Sequence, residues 1–219
     1  MKETIDLKDF KSIINMMNEN IQTNVNLLSS LDSFIGDGDH GLSISKGLKN
    51  AINSVNNENI STISELLKVM GKSILSSVGG VTGVVFGYFF MEMGKNLNPD
   101  KKEVNLEDIY FMLSKSLEAS MKLGSGAKPG DKTMIDAFYP AVESLKNSTN
   151  RKLTIGDALK EMSVAAERGA LSTKEMIAKV GRAKYLGQRS IGYQDAGATS
   201  LYLILKSFND YLEIQDKKG

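Results

Sequence analysis

The chain has 219 residues, no cysteine and a formal net charge of +1. It is long enough for a substantial core, but it holds neither a disulfide framework nor a thiolate metal site. The near-neutral charge gives no sign of binding to nucleic acid or to an anionic membrane. The most apolar stretch, 79–93, is too short to span a bilayer, and the first residues lack the apolar core of a signal peptide. These features favour a cytoplasmic protein.

Helical periodicity runs through the chain. Apolar residues recur every three or four positions from Leu7 to Leu28, which is the spacing of one helical face. Similar stripes follow at 40–56, 61–77, 81–97, 105–123, 131–147, 154–179 and 196–212. Asp131 and Thr154 are the predicted N-caps of two of these helices. The alternating β-branched runs that are typical of strands do not occur.

This pattern predicts an all-α fold, a bundle or barrel of about eight antiparallel up-and-down helices. We expect one domain over residues 1–219, with a frayed polar tail at 213–219. Glycine-rich loops follow the first, third, fifth and seventh helices, at 35–41, 78–83, 123–130 and 181–197. Every second connection of such a bundle lies at the same end, so the four loops are expected to form a site on one rim.

The first loop carries three carboxylates within eight residues, Asp32, Asp37 and Asp39, followed directly by His40. Crowded carboxylates repel one another unless a cation lies between them, and oxygen ligands suit Mg2+ or Ca2+. The alternative is a solvated acidic turn in which Asp39 caps the next helix. His40, the only histidine, either has a capping or core role or lies beside the metal.

The other three loops carry groups that bind phosphate. Segment 76–83 offers small hydroxyls and backbone N–H groups at a helix start, which is a common phosphate site. Segment 124–134 adds flexible backbone, two lysines and another helix start. The fourth loop adds the charged residues Arg182, Lys184, Arg189 and Asp195. Together these groups indicate a nucleotide polyphosphate site.

Simpler roles remain open for some of these residues. The glycines of the second loop and the following helix are also typical of helix packing; they are Gly79, Gly80, Gly83 and Gly87. The basic residues of the fourth loop could equally form a solvated face. No Gly-Lys-Ser/Thr sequence follows the second loop, so it is not a Walker A loop.

Four motifs in this order resemble the nucleotide-binding L subunit family of dihydroxyacetone kinases. They are IGDGDHG at 35–41, SVGG at 77–80, KPGDKTM at 128–134, and the group GRA, YLG, SIG and QDAGATS between 181 and 200. The resemblance covers nearly the whole chain and implies a barrel of eight antiparallel helices with the nucleotide at one rim. The departures from the family pattern are Val84, Gly124, Gln188, Tyr193 and Ala196.

The resemblance also implies roles for individual residues. Asp32, Asp37 and Asp39 would bind two Mg2+ ions. The implied nucleotide-binding residues are His40, Gly41, Leu42, Ser43, Val81, Thr82, Ser125, Met134, Arg182, Asp195, Ala196 and Gly197. Of these, Ser125 and Met134 would border the base or ribose, and Arg182 would face the phosphates as a charge stabiliser. The resemblance implies no general base on this chain.

The implied activity is that of a kinase subunit in a phosphotransferase system driven by phosphoenolpyruvate. ADP stays bound, a phosphohistidine carrier converts it to ATP, and the γ-phosphoryl group passes to dihydroxyacetone (glycerone) on a separate K subunit. The sequence leaves a homodimer open. Three alternatives also stay open: an ATP-dependent subunit of a split keto-sugar kinase, a nucleotide-binding co-regulator of a transcription factor, and an acidic Ca2+-binding helical protein.

Overall fold

The computed structural model describes residues 2–123 and 126–217, and helices make up most of it. The α-helices are α1 (Leu7–Thr23), α2 (Val25–Ile35), α3 (His40–Asn57), α4 (Ile63–Ser77), α5 (Gly80–Lys95), α6 (Leu106–Leu123), α7 (Ile135–Asn150), α8 (Ile155–Ser172) and α9 (Ala196–Asp216). Two 3-10 segments, Thr173–Glu175 and Arg182–Ser190, lie between α8 and α9. No helix within the described residues combines the length and hydropathy needed to cross a membrane.

The helices form a closed ring. From α3 to α9 each helix packs against the next one along the chain, and α1 packs against both α3 and α9. Since α2 also contacts α3 and α9, it occupies the same side of the ring as α1. The interior is filled by apolar side chains, among which Phe10 and Phe208 meet edge to face at 5.9 Å and Phe89 and Phe138 at 5.2 Å. The predicted all-α barrel is confirmed.

Several predicted boundaries differ from the structure. The first predicted helix is divided at Asn24, whose backbone is not helical (φ −108°, ψ 11°), although the apolar stripe continues across it. Helix α8 ends at Ser172, and the chain passes directly into the 3-10 segment Thr173–Glu175, where the Thr173 hydroxyl donates to the Ala170 carbonyl. Helix α9 continues to Asp216, past the point at which the tail was expected to fray. The assignment of residues 1–219 to one domain stays a prediction.

The two predicted N-caps have different outcomes. Thr154 caps α8 by accepting a hydrogen bond from the Asp157 N–H, as predicted. Asp131 does not cap α7, which begins at Ile135; its carboxylate accepts from the Lys128 N–H within its own turn instead. The prediction for Asp131 was therefore wrong.

The structure also contains a small sheet that the sequence did not indicate. Strand β1 (Ile5–Asp6) pairs antiparallel with β2 (Glu103–Val104), with Ile5 opposite Val104. Two residues are too few to show strand periodicity. The pair joins the start of α1 to the start of α6, so it lies at the end of the barrel opposite the glycine-rich loops.

Candidate functional site

The starts of α3, α5 and α9 meet at one end of the barrel through the His40 side chain. His40 Nδ1 lies 3.3 Å from Thr82 Oγ1 in the first turn of α5. His40 Nε2 lies 2.9 Å from Ser200 Oγ in the first turn of α9. The loops before these helices therefore share one rim, as the alternation of up-and-down helices predicts.

The hydrogen bonds of Ser200 define the roles of the two imidazole nitrogens. Ser200 Oγ donates to the Gly197 carbonyl at 3.1 Å, so it accepts from Nε2–H of His40, and Nδ1 then accepts from the Thr82 hydroxyl. His40 is only 7% exposed, and burial lowers its pKa to about 4 against the opposing effect of Asp32. His40 is therefore a neutral, buried link beside the site.

The three aspartates of the first loop come together. One oxygen from each of Asp32, Asp37 and Asp39 can be chosen so that all lie within 4.8 Å of one another. Asp32 lies at the end of α2, where its Oδ2 accepts from the His40 N–H at 3.3 Å. The turn depends on Gly36, because a Cβ there would lie 2.2 Å from Asp32 Oδ1. Glycine thus lets the backbone fold back closely on the first carboxylate.

This cluster fits a divalent cation. Its donors are all carboxylate oxygens, the type that Mg2+ and Ca2+ prefer, and the Arg182 guanidinium pairs with Asp37 across the rim. One exposed arginine leaves most of the charge of three carboxylates uncompensated. Asp39 occupies the N-cap position of α3, but its side chain makes no capping bond to any described residue. The acidic-turn alternative therefore loses its predicted cap, whereas the exposure of Asp37 and Asp39 agrees with a solvated turn.

Within the described residues, two helix starts beside the carboxylates have no bond from an N-cap side chain, although Asp32 accepts from the first N–H of α3. Helix α3 begins after Asp39, and α5 begins after Gly79, which has no side chain to offer. The first N–H groups of a helix have no partner within it, and the positive end of the helix dipole adds to their attraction for anions. The contact between His40 and Thr82 places these two starts side by side. The arrangement can bind a polyphosphate next to a cation.

The glycines of the second loop divide between two roles. Gly79 and Gly80 have open space where a Cβ would lie, whereas a Cβ at Gly83 would meet the Val78 backbone oxygen at 1.9 Å and one at Gly87 would meet Leu75 at 2.9 Å. Gly83 and Gly87 are therefore packing residues. Gly79 and Gly80 remain as open backbone at the start of α5.

The other sequence-predicted residues lie around this rim in different environments. Leu42 and Val81, at the starts of α3 and α5, are 65% and 73% exposed, whereas Met134 and Ala196 are buried. Asp195 caps α9 by accepting from the Ala198 N–H at 2.7 Å, and burial raises the pKa of its carboxyl to about 7. Gly41, Ser43 and Gly197 lie in the first turns of α3 and α9. Ser125 lies outside the described residues.

Sequence reasoning placed two lysines of the third loop and the basic residues of the fourth at the site. Lys132 is instead buried at 2% exposure, away from the open rim. Lys184 lies 4.9 Å above the exposed Tyr185 ring, which agrees with the solvated-face alternative for that residue.

Two contacts at the rim were missed in the sequence. Phe34, directly before the first motif, stacks on Tyr193 of the fourth loop with ring centroids 4.7 Å apart. Ser200 is the buried partner of His40. For the Phe34–Tyr193 contact, the one available signal was the position of Phe34 beside the acidic motif. Contacts between residues more than 150 positions apart leave no local pattern in the sequence.

Comparison with known proteins agrees with this architecture. The DAK2 domain profile matches residues 34–210. The chain is 40% identical over 179 residues to the ADP-binding subunit DhaL of the PEP-dependent dihydroxyacetone kinase of Escherichia coli K12, covering 82% of this chain and 84% of that protein. It is 38% identical over 207 residues to the corresponding subunit of kinase 2 of Listeria innocua, covering 92% and 93%.

Longer proteins match over part of their length. A D-erythrulose kinase of Mycolicibacterium smegmatis is 34% identical over 84% of this chain but only 32% of its own length. The C. freundii dihydroxyacetone kinase, solved in complex with AMP-PNP and Mg2+, superposes with a TM-score of 0.67 at 23% identity, over 91% of this chain and 33% of that one. This likeness shows the shared fold. From the extent of the profile match and the two nearly full-length relatives, the chain belongs to the DAK2 domain family.

Proposed function

We propose that this chain is the ADP-binding subunit of a phosphoenolpyruvate-dependent dihydroxyacetone kinase. The observation that carries the proposal is the cluster of Asp32, Asp37 and Asp39 beside the uncapped starts of α3 and α5. A magnesium–polyphosphate complex needs both a set of oxygen ligands and donors for its phosphate oxygens. Two relatives that bear this name match the chain over more than four fifths of their length.

The proposed ligands are ADP or ATP and two Mg2+ ions. Asp32, Asp37 and Asp39 would hold the ions, and bound Mg2+ would neutralise charge on the phosphates. The N–H groups at the starts of α3 and α5 would bind the phosphate oxygens. The Thr82 hydroxyl lies beside them, in the first turn of α5. The remaining proposed nucleotide contacts are His40, Gly41, Leu42, Ser43, Val81, Met134, Arg182, Asp195, Ala196 and Gly197.

The reacting partners in this proposal lie on other proteins. A phosphohistidine carrier would supply the phosphoryl group, and dihydroxyacetone on a separate K subunit would receive it. His40 is poorly suited to either role because both ring nitrogens are engaged by hydroxyls. This chain would therefore bind and orient the nucleotide and stabilise charge, with Arg182 as the cationic side chain on the rim. The absence of cysteine fits the proposed cytoplasmic location.

Dihydroxyacetone is favoured over a longer keto-sugar by the pattern of relatives. Four dihydroxyacetone kinase subunits, matched over 84% to 93% of their own length, are 40%, 38%, 34% and 35% identical to this chain. The erythrulose kinases are 34%, 28% and 29% identical, and this chain spans about a third of each.

Reconstituted phosphoryl transfer tests the proposal. The purified chain is combined with a K subunit, dihydroxyacetone and a phosphohistidine carrier regenerated from phosphoenolpyruvate, with only stoichiometric ADP. Formation of dihydroxyacetone phosphate over many turnovers is expected. Turnover only with excess ATP would favour the split ATP-dependent kinase. Nucleotide binding without any transfer would favour the co-regulator, and Ca2+ binding without nucleotide would favour the fourth alternative. Native mass spectrometry of the same sample distinguishes a monomer from a homodimer.

A further inference from the structure

Lys132 is a buried cation whose hydrogen bonds all lead to another loop. Its ammonium donates to the carbonyl oxygens of Thr173 at 2.6 Å, Met176 at 3.2 Å and Tyr193 at 2.5 Å. An ammonium has three donors, so these three carbonyls satisfy it. Among the described residues Lys132 forms no direct salt bridge, although the charges of Asp195 and Asp136 partly oppose the lowering of its pKa by burial. A buried charge without a direct ion pair is costly, so the three carbonyl hydrogen bonds are the direct contacts that hold the ammonium in place.

The three acceptors lie at both ends of one connection. We call residues 173–195 the Arg182 loop, since Arg182 lies near its middle. Thr173 and Met176 begin this loop, and Tyr193 lies two residues before its end. One ammonium group therefore joins the two ends of the loop. The loop reaches the carboxylate cluster at two points, where Arg182 pairs with Asp37 and where Tyr193 stacks on Phe34.

Hydrogen bonds within the turn that carries Lys132 hold the turn in a shape that directs the Lys132 side chain inward. The Asp136 carboxylate accepts from the N–H groups of Gly130 at 2.5 Å and Thr133 at 2.7 Å, which closes the backbone around Asp131 and Lys132. Lys132 has a positive φ of 62°, a conformation that is uncommon for a residue with a side chain. A second link runs alongside, where the Lys179 N–H donates to the Asp131 carbonyl.

We infer that Lys132 is a positioning residue that fixes the Arg182 loop over the carboxylate cluster without contacting the nucleotide or the metal. The KPGDKT motif of the third loop is then a clamp on the fourth loop, and it acts on the site through the placement of Arg182 and Tyr193. The effect on phosphoryl transfer rests on the proposed function, whereas the effect on the loop does not.

Limited proteolysis tests the clamp directly. Arg182, Lys184 and Arg189 are exposed trypsin sites within the loop. Lys132→Met removes the three hydrogen bonds and keeps a long side chain, and Lys128→Met is the control because Lys128 is exposed in the same turn. We expect Lys132→Met to be cut within the loop at least about tenfold faster than wild type, with α1 and α4 uncut, and Lys128→Met to match wild type.

Restoring an ammonium group at position 132 distinguishes the effect of its hydrogen bonds from the effect of side-chain packing. Because the chain has no cysteine, Lys132→Cys can be unfolded, alkylated with 2-bromoethylamine and refolded, which rebuilds a lysine-like ammonium at this position alone. The aminoethylated protein should regain resistance to trypsin, whereas the same protein alkylated with iodoacetamide should not. Equal protection by both adducts would overturn the inference. Loss of helical circular dichroism in Lys132→Met would also overturn it, because the residue would then support the whole barrel.

Kinetic measurements test whether the clamp affects phosphoryl transfer. In the reconstituted assay Lys132→Met should lower kcat more than it raises the KM for the phosphorylated carrier. Loss of loop protection with unchanged kcat would overturn the link to the reaction. An inactive wild-type protein with the expected proteolysis pattern would contradict the proposed function and leave the clamp supported.

Discussion

The two ends of the barrel differ in how their helices are capped. At the end that carries the small sheet, side chains cap the first turns of four helices: Asp6 for α1, Thr62 for α4, Asn105 for α6 and Thr154 for α8. At the other end, Asp195 caps α9, but α3 and α5 begin without such a cap among the described residues. A cap contributes about 1 kcal/mol, so the uncapped starts retain N–H groups for a ligand at a cost in stability.

The charges follow the same division. At the capped end the carboxylates of Asp9 and Asp108 pair with Lys2 and Lys101. At the binding end Asp131 pairs with Lys179, but three aspartates meet with one exposed arginine between two loops. The uncapped helix starts and the uncompensated carboxylates are therefore concentrated at one end of the barrel, where a ligand would bind them.

The largest effect is expected from the carboxylate cluster. Asp37→Ala should weaken Mg2+-dependent ADP binding by at least about 100-fold, because it removes a proposed metal ligand. Asp100→Ala, an exposed aspartate of the turn after α5, is the control and should bind like wild type. Calorimetric titration with ADP at fixed Mg2+ gives the comparison, and equal affinity for the two variants would contradict the metal assignment.

Arg182→Ala should affect the reaction more than binding. A positioned cation that stabilises developing charge is worth on the order of 100-fold in kcat, whereas loss of an exposed contact should change the ADP dissociation constant by less than about tenfold. The reconstituted assay and calorimetry give the two values. Equal losses would show that Arg182 contributes to ground-state binding alone.

The buried His40 should make stability dependent on pH. Burial lowers its folded pKa to about 4, below the ordinary histidine value of 6.5, so the unfolded chain binds more protons between these values and stability falls as pH falls. Between pH 7 and pH 5 the wild type should lose about 2 kcal/mol relative to His40→Gln, which has no titrating ring. Urea unfolding of both proteins without Mg2+ at the two pH values measures the difference, and parallel losses would contradict a neutral buried imidazole.

The smallest effect should come from adding a cap to the binding end. Gly79 has extended backbone (φ −76°, ψ 171°) and open space at its Cβ, so Gly79→Ser can adopt the same conformation and cap α5. We expect a gain of a few tenths of a kcal/mol in stability together with ADP binding weakened by about tenfold. Thr154→Ala at the other end should show the reverse, losing about 1 kcal/mol with unchanged ADP binding. Unchanged affinity in Gly79→Ser would indicate that the α5 start does not bind phosphate.

Local features of the fold could be predicted from the sequence, and long-range ones could not. Asp32, Asp37 and Asp39 lie within eight residues, so their proximity was visible, and alternation of helices placed the loops on one rim. The assignment of Asp131 as a cap was wrong because residues 130–133 form a turn instead of a helix start. That turn depends on hydrogen bonds to Asp136, five residues after Asp131. The partners of Lys132 are backbone carbonyls 41 to 61 residues away, and a backbone acceptor has no residue type by which to recognise it.

Native mass spectrometry tests the central claim most directly. The protein is purified in buffer containing Mg2+ and transferred to ammonium acetate without denaturation. We expect a mass that exceeds the polypeptide by one ADP and two Mg2+ ions, and loss of all three adducts in Asp37→Ala but not in Asp100→Ala. Added ADP that fails to bind to the wild-type protein, or binds equally to Asp37→Ala, would contradict a nucleotide held through a carboxylate-bound metal.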